Sequence, residues 1–222
     1  NSRRTTVPIS EISSYVQKGA IAVQDKDFYT HKGIRISSLL RALLADTTSF
    51  GFHQGGSTIT QQVVKNVLLT SDKTITRKIK EIVLSIKLER VMSKDEILGL
   101  YFNEIPYGGN IYGVEEGAQA FFNKSAKNIT LAEAAYLSAI PQAPTFYSPY
   151  GANKNKLDDR KNLVLSEMKN AGFISESEYQ KAIEEKVEFK PKQSTGIRAP
   201  HFVFYVTDYL KKKYGDDVLE AG

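Results

Sequence analysis

Apolar residues recur at helical spacing along most of the chain, and strand-like alternation is scarce. Ile9, Ile12, Val16 and Val23 mark the face of a first helix, which Pro8-Ile9-Ser10-Glu11 is suited to open and which leads to Gln24. Ile36, Leu39, Leu40, Leu43 and Leu44 form a second amphipathic stretch. It gives way to a polar, glycine-rich loop, Asp46 to Gly56, that carries Phe50 and Phe52. Thr58 to Leu69 reads as a further helix. Over residues 74–92, Ile75, Ile79, Ile82 and Ile86 line one face of a helical wheel. Lys73, Arg77, Lys80 and Glu81 line the other, continued by Leu84 and Leu88. A helix apolar on both sides in its second half is expected to be central and buried, with its charged first half bordering a cavity, because isolated buried charge is costly.

Three capping boxes predict further helix starts: Ser93-Lys94-Asp95-Glu96, Thr130-Leu131-Ala132-Glu133 and Ser175-Glu176-Ser177-Glu178. Between them lie a loop around Pro106-Tyr107-Gly108-Gly109 and a turn-rich segment, Pro141 to Pro144. From Lys186 the chain turns basic and irregular before a short amphipathic segment, Phe202 to Tyr214.

Composition narrows the class. A chain of 222 residues is one large domain or two small lobes, and 41% hydrophobic with 25% charged residues is ordinary for a globular fold. A net charge of +5 suits an anionic partner without choosing among nucleic acid, phosphate-bearing lipid and acidic membrane. The absence of cysteine excludes disulfides and thiolate metal sites. No apolar run approaches the ~20 residues of a membrane-spanning helix. The chain does not begin with Met and reads as part of a longer protein.

Two segments carry the chemistry. Gly55-Gly56-Ser57-Thr58-Ile59-Thr60-Gln61-Gln62 sets small hydrogen-bonding side chains behind two glycines, which suits a polar ligand. Arg77-Lys78-Ile79-Lys80-Glu81 sets cations beside one carboxylate, which suits an anionic substrate and proton transfer. Together with Gln24-Asp25-Lys26-Asp27-Phe28-Tyr29-Thr30-His31-Lys32-Gly33, Lys94 to Asn103 and Arg160 to Leu165, they resemble, in order, the motifs of the family 51 glycosyltransferases. These are the peptidoglycan polymerases that form the first enzymatic domain of class A penicillin-binding proteins. The match departs at one position: where the family carries a catalytic glutamate, this chain has Gln24. Glutamine accepts no proton at neutral pH but still hydrogen-bonds a hydroxyl. With the other motifs present, it reads as a Glu→Gln replacement that holds substrate without turnover; a naturally divergent homologue is the alternative.

The resemblance implies a mostly α, lysozyme-like fold, with a larger head lobe and a smaller membrane-facing jaw around a cleft. The glycosyltransferase domain would span residues 1–187, with the jaw at about 34–56, and residues 188–222 would lead toward a transpeptidase domain. It implies polymerisation of lipid II on the outer face of the bacterial cytoplasmic membrane, with inversion and release of undecaprenyl pyrophosphate. Partners would be lipid II, the growing glycan, the bilayer and phosphoglycolipid inhibitors such as moenomycin, with no role for nucleic acid. Residue 24 would be the general base and Glu81 the second carboxylate. Lys65, Lys73, Arg77, Lys80, Ser57, Thr58, Gln61, Gln62, Asn103 and Arg160 would bind substrate or pyrophosphate. Thr60 is as well suited to inward packing, Lys78 to a solvated face, His31 to a structural role, and Phe50 and Phe52 to membrane contact. No cofactor is required, though Mg²⁺ beside the pyrophosphate and Glu81 is compatible with the family. Ser166-Glu167-Met168-Lys169 matches the Ser-x-x-Lys of transpeptidases but lacks its partner motifs and reads as coincidence. The rival readings are a muramidase or lytic transglycosylase, which needs no pyrophosphate site, and a glycan- or lipid-binding scaffold.

Overall fold

The structure, a computed structural model, describes residues 5–35, 56–69 and 74–191, together with Tyr205 and Tyr209. The chain divides into two compact units, Asn1–Pro191 and Lys192–Gly222; of the second, only the two tyrosines are described, both in helical conformation. The whole Ile36–Phe52 region read above as an amphipathic stretch and aromatic loop lies outside the described residues, as do Lys73 and the rest of the Phe202–Tyr214 segment.

The described part of the first unit is mostly α, as expected. A 3-10 turn at Ile9–Glu11 precedes α1 (Ser14–Gln24); α2 (Ile59–Leu68), α3 (Ile75–Val91) and α4 (Lys94–Glu104) follow. A small antiparallel hairpin, β1 (Pro106–Gly108) and β2 (Ile111–Tyr112), pairs Pro106 with Tyr112 and Gly108 with Ile111. Then come α5 (Val114–Phe122), α6 (Leu131–Ala139), α7 (Lys154–Asn170) and α8 (Glu176–Glu184). Pro8 to Glu11 therefore does not open the first helix. That role falls to Ser13, whose hydroxyl accepts from the Tyr15 amide. The capping boxes at Ser93, Thr130 and Ser175 form as read, and Thr58 with Gln61 makes a fourth. No helix of the described residues is long and apolar enough to cross a membrane.

Helix α6 is buried at every position and is the axis of the core. Its small residues let α1 cross closely: a Cβ on Gly19 would lie 2.6 Å from Ser138 Oγ. Ile12, Val16, Ala20 and Ile21 of the same stretch join α6 and α7 in one apolar cluster. That packing fixes α1, and with it the position of Gln24 at its C-terminal end.

Helix α3 is turned the other way from its expected setting. Ile75, Ile79 and Val83 are 63%, 57% and 45% exposed, while the buried positions are Glu81 and Ser85. The partner decides the orientation. The inward face meets the loop after α1, where Gly33, at φ +90°, would place a Cβ 2.6 Å from the Ser85 carbonyl oxygen. Ser85 is fully buried there, its hydroxyl donating to the Glu81 carbonyl at 2.7 Å, and Glu81 finds polar partners on the same face. Ile82 and Ile86 are half-buried rather than central.

Candidate active site

The first carboxylate position sits where α1 ends. Gln62 Nε2, one turn into α2, donates to Gln24 Oε1 at 3.4 Å, while Gln24 Nε2 is buried without a hydrogen-bond partner. The surroundings thus offer a donor to this side chain but no acceptor for its amide. An acceptor-only group, such as a carboxylate, suits the place better. The adjacent Asp25 points into the protein. It is 1% exposed, and its Oδ2 accepts from the Ile59 amide at 2.9 Å and from His31 Nε2 at 2.8 Å. Its other oxygen lies 3.8 Å from Arg35 Nε. Because the Gly33 amide donates to His31 Nδ1, the Asp25 contact is made by Nε2–H. Asp25 thus anchors the end of α1 to the start of α2, and this engaged carboxylate does not take the place of residue 24. The structural role expected of His31 is the one it has.

The second carboxylate lies on α3. Glu81 is 2% exposed, accepts from Gln61 Nε2 at 3.2 Å and is in contact with the ammonium of Lys78, which also reaches Ser57 Oγ at 3.3 Å. Consecutive glutamines of α2 thus serve the two positions, Gln61 at Glu81 and Gln62 at Gln24. Arg77 lies on the same side of α3, and its Nε is buried without a hydrogen-bond partner. Lys80 is exposed instead. The expected settings of Lys78 and Lys80 are therefore exchanged, because the helix is rotated: Ile75, Ile79 and Val83 face out, and about 100° per residue separates Lys80 from Glu81.

On the other side of Gln24 a pocket of about 290 Å³ is lined by Asp25, Lys26, Arg35, Arg160, Leu163 and Glu167, among others. Arg160, Leu163 and Glu167 fall on one face of α7 by their spacing. Burial pulls the Arg160 guanidinium below its usual range, against an opposing effect of Tyr147, and its Nε has no hydrogen-bond partner. Both flanks of residue 24 carry cations, which suits an anionic ligand.

Other expected ligands are placed elsewhere. Thr58 is fully buried: its hydroxyl caps α2 and donates to the Gly33 carbonyl at 2.6 Å. Gln61 is 5% exposed, with its oxygen on the Thr58 amide and its nitrogen on Glu81. Both shape the site and leave no free group for a ligand. Asn103 is not at the site, because its amide brackets Val7, donating to its carbonyl and accepting from its N–H, both at 3.0 Å. Thr60 points inward to Glu89 at 2.5 Å. Lys65 is exposed, one turn beyond Gln61 on α2. Lys73, Phe50 and Phe52 lie outside the described residues. Ser166-Glu167-Met168-Lys169 forms no nucleophile pair: Met168 is buried, and Lys169 pairs with Glu176. A divalent cation would meet at Glu81 one carboxylate already held by an ammonium, and no group of three or more His, Cys, Asp or Glu is arranged for a metal among the described residues. Lys26, Arg35 and Glu167 join the site without a sequence expectation, and Lys78 joins it from an expected solvated face. Glu167 was readable by its seven-residue step from Arg160, and Lys78 by its i, i+3 spacing to Glu81.

Comparison with known proteins follows the same outline. The family model described as Transglycosylase matches residues 1–169. Penicillin-binding protein 1F of Bacillus subtilis (strain 168) is 40% identical over 226 residues, covering 99% of this chain and 31% of that protein. Penicillin-binding protein 1A of Aquifex aeolicus (strain VF5) is 38% identical over 214 residues, covering 96% and 29%. Penicillin-binding protein 1A/1B of Bacillus subtilis (strain 168) is 46% identical over 181 residues, covering 81% and 20%. The chain thus spans less than a third of the length of these relatives. The crystal structure of penicillin-binding protein 1A from Haemophilus influenzae aligns over 97% of this chain and 22% of its own, with a TM-score of 0.54 at 21% identity, a likeness of fold.

Proposed function

The chain belongs to the transglycosylase family, the family 51 glycosyltransferases that its motifs resemble, and we propose that it carries the site that joins lipid II into β-1,4 glycan strands. The observation that carries this reading is the pairing of carboxylate positions 24 and 81 through Gln62 and Gln61, with cations on both flanks. The acceptor hydroxyl loses its proton to a base at position 24 as its oxygen bonds to C1 of the donor. The bond from C1 to the phosphate oxygen breaks with inversion, and its electrons leave with the lipid pyrophosphate. Arg77 and Lys78 meet that charge, with Lys65 and Lys73 as further candidates, and Glu81 holds Lys78 in place. Gln24 takes no proton, so this form turns over slowly but keeps the groups that bind lipid II or moenomycin. The donor set around Glu81 does not fit a metal held by the protein, and no step is routed through one.

The outward face of α3, with Val67 and Leu68 at the end of α2, is apolar and lies beside Lys65, Lys80, Lys87 and Arg90. This combination suits an anionic bilayer surface on the outer side of a cytoplasmic membrane, where lipid-linked substrates reside. A cationic site beside Glu81 argues against a glycan-cleaving enzyme, which has no pyrophosphate to bind.

The test is glycan formation from lipid II, read on a gel. Gln24→Glu is expected to raise the rate by ~10²–10⁴-fold, the usual contribution of a general base, and moenomycin should bind both forms. A Gln24→Glu chain that binds lipid II yet forms no polymer would establish the scaffold reading instead.

A further inference from the structure

Among the described residues three carboxylates belong to the candidate site, and two are engaged. Asp25 is buried against the Ile59 amide and His31, and Glu81 is held by Lys78 and Gln61. Glu167 is different. It is half-buried on α7, it lines the same pocket as Gln24, and its carboxylate finds no hydrogen-bond or ion-pair partner among the described residues. This is unexpected for a carboxylate sharing a pocket with Lys26, Arg35 and Arg160. A charge that only stabilised the fold would close on one of those cations. Glu167 does not, and Arg160, two turns earlier on the same face, also leaves its Nε without a partner. Both groups border open space, and at about 290 Å³ that space is near the lower end of the ~300–1,000 Å³ typical of small-ligand sites.

We propose that Glu167 is the catalytic base of this chain as it stands, taking over the proton that Gln24 cannot accept. The inference rests on the polymerase reading above. In the step, the acceptor hydroxyl proton passes to the Glu167 carboxylate while the hydroxyl oxygen forms the bond to C1. The C1–phosphate bond breaks, its electron pair leaves with the pyrophosphate, and Glu167 afterwards releases the proton to water. Gln24 keeps a hydrogen bond to the same hydroxyl through its amide. Arg160, on the same pocket wall, supplies positive charge to the phosphate-bearing substrate.

The experiment compares initial rates of glycan formation from lipid II in four chains: the chain as given, Glu167→Gln, Gln24→Glu, and the double variant Gln24→Glu/Glu167→Gln. Thermal melts are recorded for each. The chain as given is expected to form polymer slowly but measurably, and Glu167→Gln to reduce that rate by about tenfold or more, within the range of general-base catalysis. Glu167→Asp should retain part of the rate. In the Gln24→Glu background, where a second carboxylate is present, the same Glu167→Gln change should reduce the rate by a clearly smaller factor. Equal losses in both backgrounds would assign Glu167 to binding or folding and overturn the proposal. So would a Gln24 chain with no turnover beside an active Gln24→Glu chain, which leaves the polymerase reading intact. Silence in both Gln24 and Gln24→Glu chains overturns the polymerase reading, and the proposal with it.

Discussion

Lys78 stands one turn before Glu81 on α3 and closes its ammonium on that buried carboxylate. Removing Lys78 therefore withdraws a cation from the ligand and leaves Glu81 without its counter-charge. In the Gln24→Glu background, Lys78→Ala is expected to weaken moenomycin binding by ~1.5–3 kcal/mol, the scale of a hydrogen bond to a charged group. Lys80→Ala, on the exposed side, should stay within about 0.5 kcal/mol. Titration calorimetry on both variants decides the matter, and a larger loss at Lys80 would mean that α3 is not rotated as described.

Asn103 separates a structural role from a binding one. Its amide holds Val7 by two hydrogen bonds, 96 residues away in sequence. Asn103→Ala should cost ~1–3 kcal/mol of stability by leaving backbone groups unpaired, while the affinity for moenomycin is unchanged. A loss of affinity with an unaltered melt would return Asn103 to the ligand site.

Gly33 permits the close approach of the loop after α1 to α3. A side chain there combines φ +90° with a contact of 2.6 Å to a backbone oxygen. Gly33→Ala should destabilise by at least the ~1–3 kcal/mol of an unfavourable backbone conformation. Gly172→Ala is the control, since Gly172 has φ +70° but nothing within 4 Å. Denaturant midpoints that fall equally for both would show that the contact with Ser85 contributes nothing.

The isoleucine face of α3 is predicted to meet lipid. Burying one such side chain is worth roughly 1.5–3 kcal/mol. Ile79→Ser with Val83→Ser should therefore reduce sedimentation with anionic liposomes and leave the thermal melt nearly unchanged. A large fall in the melt would make these residues core.

The legible parts of this chain are those decided within a few residues. Ser93, Thr130 and Ser175 announce their helices because the capping groups and the amides they satisfy are three positions apart. The site positions 24, 81 and 160 were legible through their motifs. The setting of α3 was not, because its wheel gives two candidate faces and the choice depends on Gly33 and α2, which are distant in sequence. The same holds for Thr58, whose hydroxyl is used by Gly33 across 25 residues. It holds for Asn103, whose partner is at the other end of the domain. Periodicity reports which faces exist; it does not report what covers them.

The two bonds that join the end of the α1 loop to the start of α2, Asp25 to the Ile59 amide and Thr58 to the Gly33 carbonyl, also act as a clasp. They close the stretch between residues 34 and 57 at its base, independently of what that stretch contains. Loop closure grows only slowly costlier with length, by about 0.6 kcal/mol per doubling. Versions of different length and character, taken from other family members, should therefore be exchangeable between Arg35 and Ser57, both of which are kept. Position 24 would stay where α1 puts it, and the start of α2 would stay where Asp25 holds it, in such chimeric chains.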